Sequence, residues 1–317
     1  MTAPSSVPAP QGWLKRHQRV LLRAAALVFF LASLAYVGLF AQRNWAAVRT
    51  LPPLDGSAAA LAAALYLLAH PFTASAWILG LRGLGHDLPY QTGLRISLAA
   101  QIGKYLPGNV AHYFARAGMA AGAGIALSGS GLATVLEIVS ALLAAALVAA
   151  AAMLLDPAPA AVLHQAFAAQ PALPLLLAAG ATIGTAVIVR LTALPLRVLA
   201  VMTLCMTANF LLVGLSFHAV VAALAGPAPS VAAMLGVYTV AWTVGYLVPG
   251  APAGLGVREA VLVAWLSAII GVGPALACTV LHRLITAAVD TAVGLAGYAW
   301  HRAARSDQPA AAGFSKK

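Results

Sequence analysis

The stretch "QIGKYLPGNVAHYFARAGMA", Gln101 to Ala120, sets Lys104, Arg116, His112 and a Pro-Gly pair inside a chain that is 62% hydrophobic and 8% charged. Proline removes a backbone donor and clashes with the preceding turn, and glycine accepts the turned backbone that follows. A helix therefore cannot run straight through "YLPG", Tyr105 to Gly108. A second interruption, "YLVPGAPAGLG", Tyr246 to Gly256, has the same character. Set beside each other, "IGKYLPGN" and "VGYLVPGA" repeat a glycine, a tyrosine, a leucine and a Pro-Gly pair at nearly the same offsets. Pro249 follows Pro107 by 142 positions (249 − 107).

Outward from these breaks the chain is hydrocarbon-like. Its mean hydropathy is +0.92, and a soluble globular chain carries about a quarter charged residues. The composition is that of an integral membrane protein. Windows of roughly 20 apolar residues, the length that crosses the hydrocarbon core, give six full spans: 20–41, 58–81, 131–155, 171–190, 198–224 and 274–300. Two further apolar stretches, 94–119 and 236–272, hold the Pro-Gly breaks and read as re-entrant helical hairpins. The expected fold is all-α and polytopic, with six spans and two broken hairpins in two repeats, 20–155 and 171–300. A periplasmic linker, 156–170, joins the repeats; tails 1–19 and 301–317 flank them. Each repeat crosses the membrane three times, so the second is expected upside down, as in the inverted repeats of many transporters.

Charge orients this arrangement. Eighteen Lys and Arg stand against seven Asp and Glu. With the N-terminus inside, the cytoplasmic segments hold most of the basic residues, from Lys15 and Arg16 through Arg82, Arg95, Arg190 and Arg197 to Arg302 and Lys317. Arg43 and Arg49 fall outside. That bias predicts both termini in the cytoplasm. The cations are expected to meet anionic lipid heads, and no aromatic-interleaved basic surface points to nucleic acid. Cys205 and Cys278 are isolated within apolar spans and imply neither a disulfide framework nor a metal motif. "MTAPSSVPAPQGW" followed by "KRHQR" and a full-length span is a start-anchor pattern, unlike a cleaved signal.

Backbone groups freed at a helix break survive in a membrane only when buried in protein or lining a wet cavity. Both breaks are therefore expected to meet inside, with half-helix N-termini offering N–H groups to a phosphate or carboxylate. Lys104, Tyr105, Pro107, Gly108 and Arg116 surround the first break; Pro249, Gly250, Arg258 and Glu259 surround the second. The alternative for Lys104 and Arg116 is snorkelling to the cytoplasmic surface. Glu137, Arg283 and Asp290 lie deeper in their spans. Charges at a helix centre cost about 2.5–3.5 kcal/mol on insertion scales, so these three should face inward. Arg283 and Asp290 are expected on nearly one helical face, about 20° apart by the helical period. They would either bind substrate or pair with each other, Arg283 with Glu137 or Asp290, in an ion pair that locks the repeats together. His112, His218 and His282 have no companions at metal spacing and read as interior polar residues. "GAGIALSGSG", Gly122 to Gly131, follows no strand and lacks a Walker lysine. No hydrolytic constellation emerges, and neither a cofactor nor a metal is expected.

"GKYLPGNVAHYFARAG", Glu137 within "VLEIVSALL", "YLVPGAPAGLGVREAVLV" and "LHRLITAAVDTAVGL", in this order, are similar to the transmembrane, flippase-like domain of bacterial lysylphosphatidylglycerol synthases. The resemblance covers about residues 20 to 300. It implies a lipid translocator of the bacterial inner membrane, and functional positions at Lys104, Pro107, Gly108, Arg116, Glu137, Pro249, Gly250, Arg258, Glu259, Arg283 and Asp290. Ile138 stands where the family's glutamate is often followed by arginine, and the chain ends at Lys317 with no soluble aminoacyltransferase domain. Lysyl transfer is accordingly not expected. The expected function is a non-enzymatic, flippase-like transporter for a phospholipid, a polyprenyl-phosphate-linked sugar or a hopanoid-type lipid, with an anionic or sugar-bearing head group as ligand. A membrane glycosyltransferase or lipid-modifying subunit, and a non-transporting scaffold for a lipid enzyme, are the rival readings. A separate lipid-synthesising enzyme and a second copy of the chain are the protein partners they admit.

Overall fold

The computed structural model describes residues 55–105, 111–157, 194–225, 229–247 and 256–306, with the single positions 42, 45, 49 and 190. Span 20–41, span 171–190 but for its last residue, both Pro-Gly pairs, most of the linker, all of the tail 1–19 and most of the tail 301–317 lie outside these residues, as does the Tyr105 side chain. The described chain is helical, without strands. Its elements are α1 (Gly56–Gly83), α2 (Tyr90–Ala99), a 3-10 helix (Ala100–Tyr105), α3 (Ala111–Ala121), α4 (Leu127–Leu155), α5 (Leu196–Ala225), α6 (Val231–Leu247), α7 (Val257–Ile270) and α8 (Val272–Ser306).

Four of these, α1, α4, α5 and α8, are long and apolar enough to cross a membrane. They coincide with four of the six expected spans. In the two interrupted stretches the described residues form α2 with the 3-10 helix and α3 on either side of 106–110, and α6 and α7 on either side of 248–255. Local signals set several ends. Asp55 caps α1 by accepting from the Ser57 N–H at 3.2 Å. Gly256 takes φ +83°, a left-handed conformation that glycine adopts without strain, and α7 starts immediately after it.

Helices that face lipid gain little from hydrophobic burial against one another, so close packing through small residues holds them together. The most extensive contact is between α1 and α5. Gly80 of α1 meets Met202 of α5 and Ala133 of α4, each close enough that a Cβ on Gly80 would stand 3.2–3.5 Å from them. Gly297 lets α8 lie directly on α2, where a Cβ would come within 2.6 Å of the Ala99 nitrogen.

Contacts along the interfaces give the helix directions. Gly83, at the end of α1, abuts Leu194 and Val198 at the start of α5. Farther back, Thr73 bonds Asn209 and Ser216 donates to the Ala62 carbonyl at 2.7 Å. α1 and α5 are therefore antiparallel. α8 runs with α1, since His282 bonds Ser216 beside Ala62, while Asp290 is level with Tyr66 and His70. α4 begins at the end where α1 finishes. One end of the bundle thus carries Arg82, Arg197 and Arg302 at the end of α1, the start of α5 and the end of α8. α2 packs on α8, and α6 packs on α4.

Candidate functional site

A cavity of about 180 Å³, as swept by the centre of a water molecule, opens between the helices. A single water needs roughly 10–15 Å³ by that measure, so the space admits a hydrated polar group. Every described helix contributes to its wall, α2 through Ser97 alone and α7 through Arg258 alone. Lys104, Arg116, Glu137, Arg258, Arg283 and Asp290 all line it. Glu259 stands behind them, its Oε1 3.6 Å from the Arg258 guanidinium and 3.7 Å from Arg283 Nε.

Three charged clusters make up the wall. In the first, Arg116 on α3 reaches α4, donating to Glu137 Oε1 at 3.2 Å and to Thr134 Oγ1 at 3.0 Å, with a second contact to Glu137 Oε2. Its guanidinium also lies 4.6 Å from the centre of the Trp77 ring, in the range of a cation–π contact. Arg116 is only 4% exposed, which rejects snorkelling for this residue. In the second, Arg258 donates to the Tyr238 hydroxyl at 3.2 Å, and Arg258 and Arg283 both approach Glu259. In the third, Asp290 on α8 accepts from Tyr66 Oη at 3.0 Å and from Lys104 Nζ at 3.4 Å, and faces His70 Nε2 at 2.8 Å.

Of the two struts expected for Arg283, the one to Glu137 is replaced. Glu137 is held by Arg116, across the α3–α4 contact, and Arg283 approaches Glu259 instead. Ile138 after Glu137 costs the site no cation, because Arg116, 21 residues earlier, supplies it. The N–H expectation at α7 also changes. Glu259 Oε2 accepts from the Gly256 N–H at 2.7 Å, so the chain's own carboxylate occupies that end of the helix. Pro107, Gly108, Pro249 and Gly250 lie outside the described residues.

The structure adds residues that the sequence reading passed over. Tyr66 and His70 join Asp290, Tyr238 supports Arg258, and Tyr113 meets Tyr246 hydroxyl to hydroxyl at 3.2 Å, linking α3 to α6. A signal for the first two was present: Tyr66, His70 and Thr73 sit at i, i+4 and i+7 in an otherwise apolar span. Several buried polar atoms in the wall have no hydrogen-bond partner among the described residues, including Ser97 Oγ, Gln101 Oε1, His112 Nδ1 and Arg116 Nε. Buried polar atoms are costly unless paired, so these fit a wall that water or a polar ligand completes. Among the charged side chains lining the cavity, four are cationic and two anionic; with Glu259 included, four positive charges face three negative. Protein-family models and curated proteins were both compared with the chain, and neither gives a match.

Proposed function

We propose that this chain is a flippase-like transporter that passes the anionic or sugar-bearing head group of a membrane lipid through its central cavity while the tails stay in the bilayer. The carrying observation is the cavity itself: a space whose wall carries four cationic and two anionic side chains, contributed by helices from both halves of the sequence and set among membrane-length spans. A charged head group crossing bare hydrocarbon meets a large barrier. Arginine forks lower it by gripping phosphate with paired donors.

The proposal includes two inverted repeats. α1 and α5 occupy corresponding places in the two halves and run antiparallel, as do α4 and α8 by the ends at which they start. The exchanged packing of α2 on α8 and α6 on α4 suits the same relation. Arg258 follows Arg116 by 142 positions (258 − 116), the same interval as the two prolines, and each arginine is buried beside a carboxylate and an aromatic ring. In this reading the resemblance to the lysylphosphatidylglycerol synthase transmembrane domain extends to function. The bundle end with Arg82, Arg197 and Arg302 faces the bacterial cytoplasm, by the positive-inside rule.

The test is purified protein in liposomes holding a fluorescent phosphatidylglycerol, with an impermeant reductant bleaching only outer-leaflet label. Transport predicts loss of the protected fraction without any change in the lipid's chemistry. A new lipid product would instead favour an enzyme. Protection unchanged from empty vesicles, with no product, would leave a scaffold and defeat the proposal.

A further inference from the structure

The contact between α1 and α8 at His70 has a chemistry of its own. His70 is 4% exposed and Asp290 2%. His70 Nδ1 lies 3.0 Å from the Tyr66 carbonyl oxygen. A carbonyl can only accept, so Nδ1 carries a hydrogen. Nε2 lies 2.8 Å from Asp290 Oδ1, a distance that requires a hydrogen between them. That hydrogen is additional to the one on Nδ1. The pair therefore holds one proton beyond neutral imidazole and free carboxylate, either as imidazolium and carboxylate or as imidazole and carboxylic acid. Remove it, and the one remaining ring hydrogen can serve only one of the two contacts, so His70 loses either its bond to Asp290 or its bond to the Tyr66 carbonyl.

We propose that His70 and Asp290 form a proton-binding site coupled to the cavity, so that binding an anionic head group and binding this proton favour each other. The inference rests on the transport reading and adds its coupling ion. Asp290 lines the cavity, and so does Lys104, which touches the same carboxylate oxygen as His70. The proton enters the His70–Asp290 contact from water and adds one positive charge beside an anion site. By linkage, an anion that prefers the protonated state raises proton occupancy by the same factor. The other charged and titratable groups around the pair belong to several elements. Arg283 shares α8; Tyr66 and Lys104 come from α1 and the 3-10 helix; His112 and Arg116 on α3, Glu137 on α4, Tyr238 on α6 and Arg258 on α7, with Glu259 behind it, line the same cavity. The wall residues that α5 and α2 supply, such as Asn209 and Ser97, are uncharged.

The experiment is calorimetry of phosphatidylglycerol binding to the full chain in detergent, in two buffers of different ionisation heat, at about pH 5, 6, 7 and 8. Wild type should take up a fraction of a proton per lipid at one or more of these values and bind at least about fivefold tighter at the acid end, the lower reach of typical coupling. His70→Gln places an amide donor opposite Asp290 without a titrating ring and should take up no proton. Asp290→Asn should behave likewise, and stands in if His70→Gln fails to fold. In liposomes, a pH gradient should change the wild-type translocation rate and leave that of His70→Gln unchanged. Binding without proton uptake, or uptake that survives in both variants, overturns the coupling and leaves the lipid reading intact. A wild-type chain that neither binds nor moves phosphatidylglycerol overturns the lipid reading and the coupling with it.

Discussion

The Arg116–Glu137 pair separates what the site owes to stability from what it owes to a ligand. Both side chains are nearly water-free, at 5% and 6% exposure. Arg116→Met leaves the Glu137 carboxylate buried without its counter-charge, and removing one partner of such a pair costs about 3–5 kcal/mol. The variant also gives up the contact over Trp77, worth about 0.5–2 kcal/mol. Glu137→Gln is milder. Its carbonyl oxygen still accepts from Arg116, and the Thr134 and Trp77 contacts are untouched, so the loss is that of a charged hydrogen bond, about 1.5–3 kcal/mol. Arg116→Met with Glu137→Leu replaces the pair by apolar groups of similar volume, which is often near neutral.

Thermal unfolding in detergent reads these differences. At roughly 2–4 °C per kcal/mol, the first variant should fall by about 7–28 °C, the second by less, and the double variant should recover most of the loss. Phosphatidylglycerol binding should follow a different order. The double variant regains stability yet loses one of the four cavity cations, so its binding should remain weak. Additive losses of stability in the double variant would refute the buried-pair reasoning. Full lipid binding by a restored double variant would remove Arg116 from the ligand site.

Three further outcomes follow from particular contacts. Arg283→Lys keeps the charge in the cavity wall but loses the planar fork, so phosphatidylglycerol affinity should drop roughly tenfold, about the worth of one charged hydrogen bond, with thermal stability nearly held; unchanged affinity would take Arg283 out of the grip. Gly297→Ala puts a Cβ 2.6 Å from the Ala99 nitrogen and should destabilise by about 1–3 kcal/mol, seen as a lower unfolding temperature; a neutral result would mean that α2 and α8 separate at little cost. Cysteines replacing Ser57 and Arg197, both exposed and at opposite ends of the bundle, should react with an impermeant reagent from the periplasm and only after permeabilisation, respectively; labelling of both from one side would break the inverted topology.

How much of this was readable from the amino-acid order follows from what each signal depends on. The four described spans were legible because hydropathy is local and a membrane demands about 20 apolar residues in a row. The expectation of interruptions rests on Pro and Gly acting on their own backbone, and the described ends of the 3-10 helix, α3, α6 and α7 lie on either side of 106–110 and 248–255. Lys104, Arg116, Glu137, Arg258, Arg283 and Asp290 could be gathered into one site because charge in a span is expensive wherever the helix points. Partnership was not legible. Glu137 could be assigned to Arg283 or to Arg116 with equal ease until α3 was seen to lie against α4, and the 21 residues between Arg116 and Glu137 carry no periodic signal across the intervening turn. Tyr66 and His70 were hidden for a different reason. Neither is charged in its common form, so neither violates the hydropathy rule, and their role depends on α8 running alongside α1 so that Asp290 comes level with them. The residues that decide what the cavity can bind therefore split in two. Those that pay a solvation penalty on their own announce themselves in one dimension, and those that act by completing another residue's hydrogen bonds emerge only with the packing.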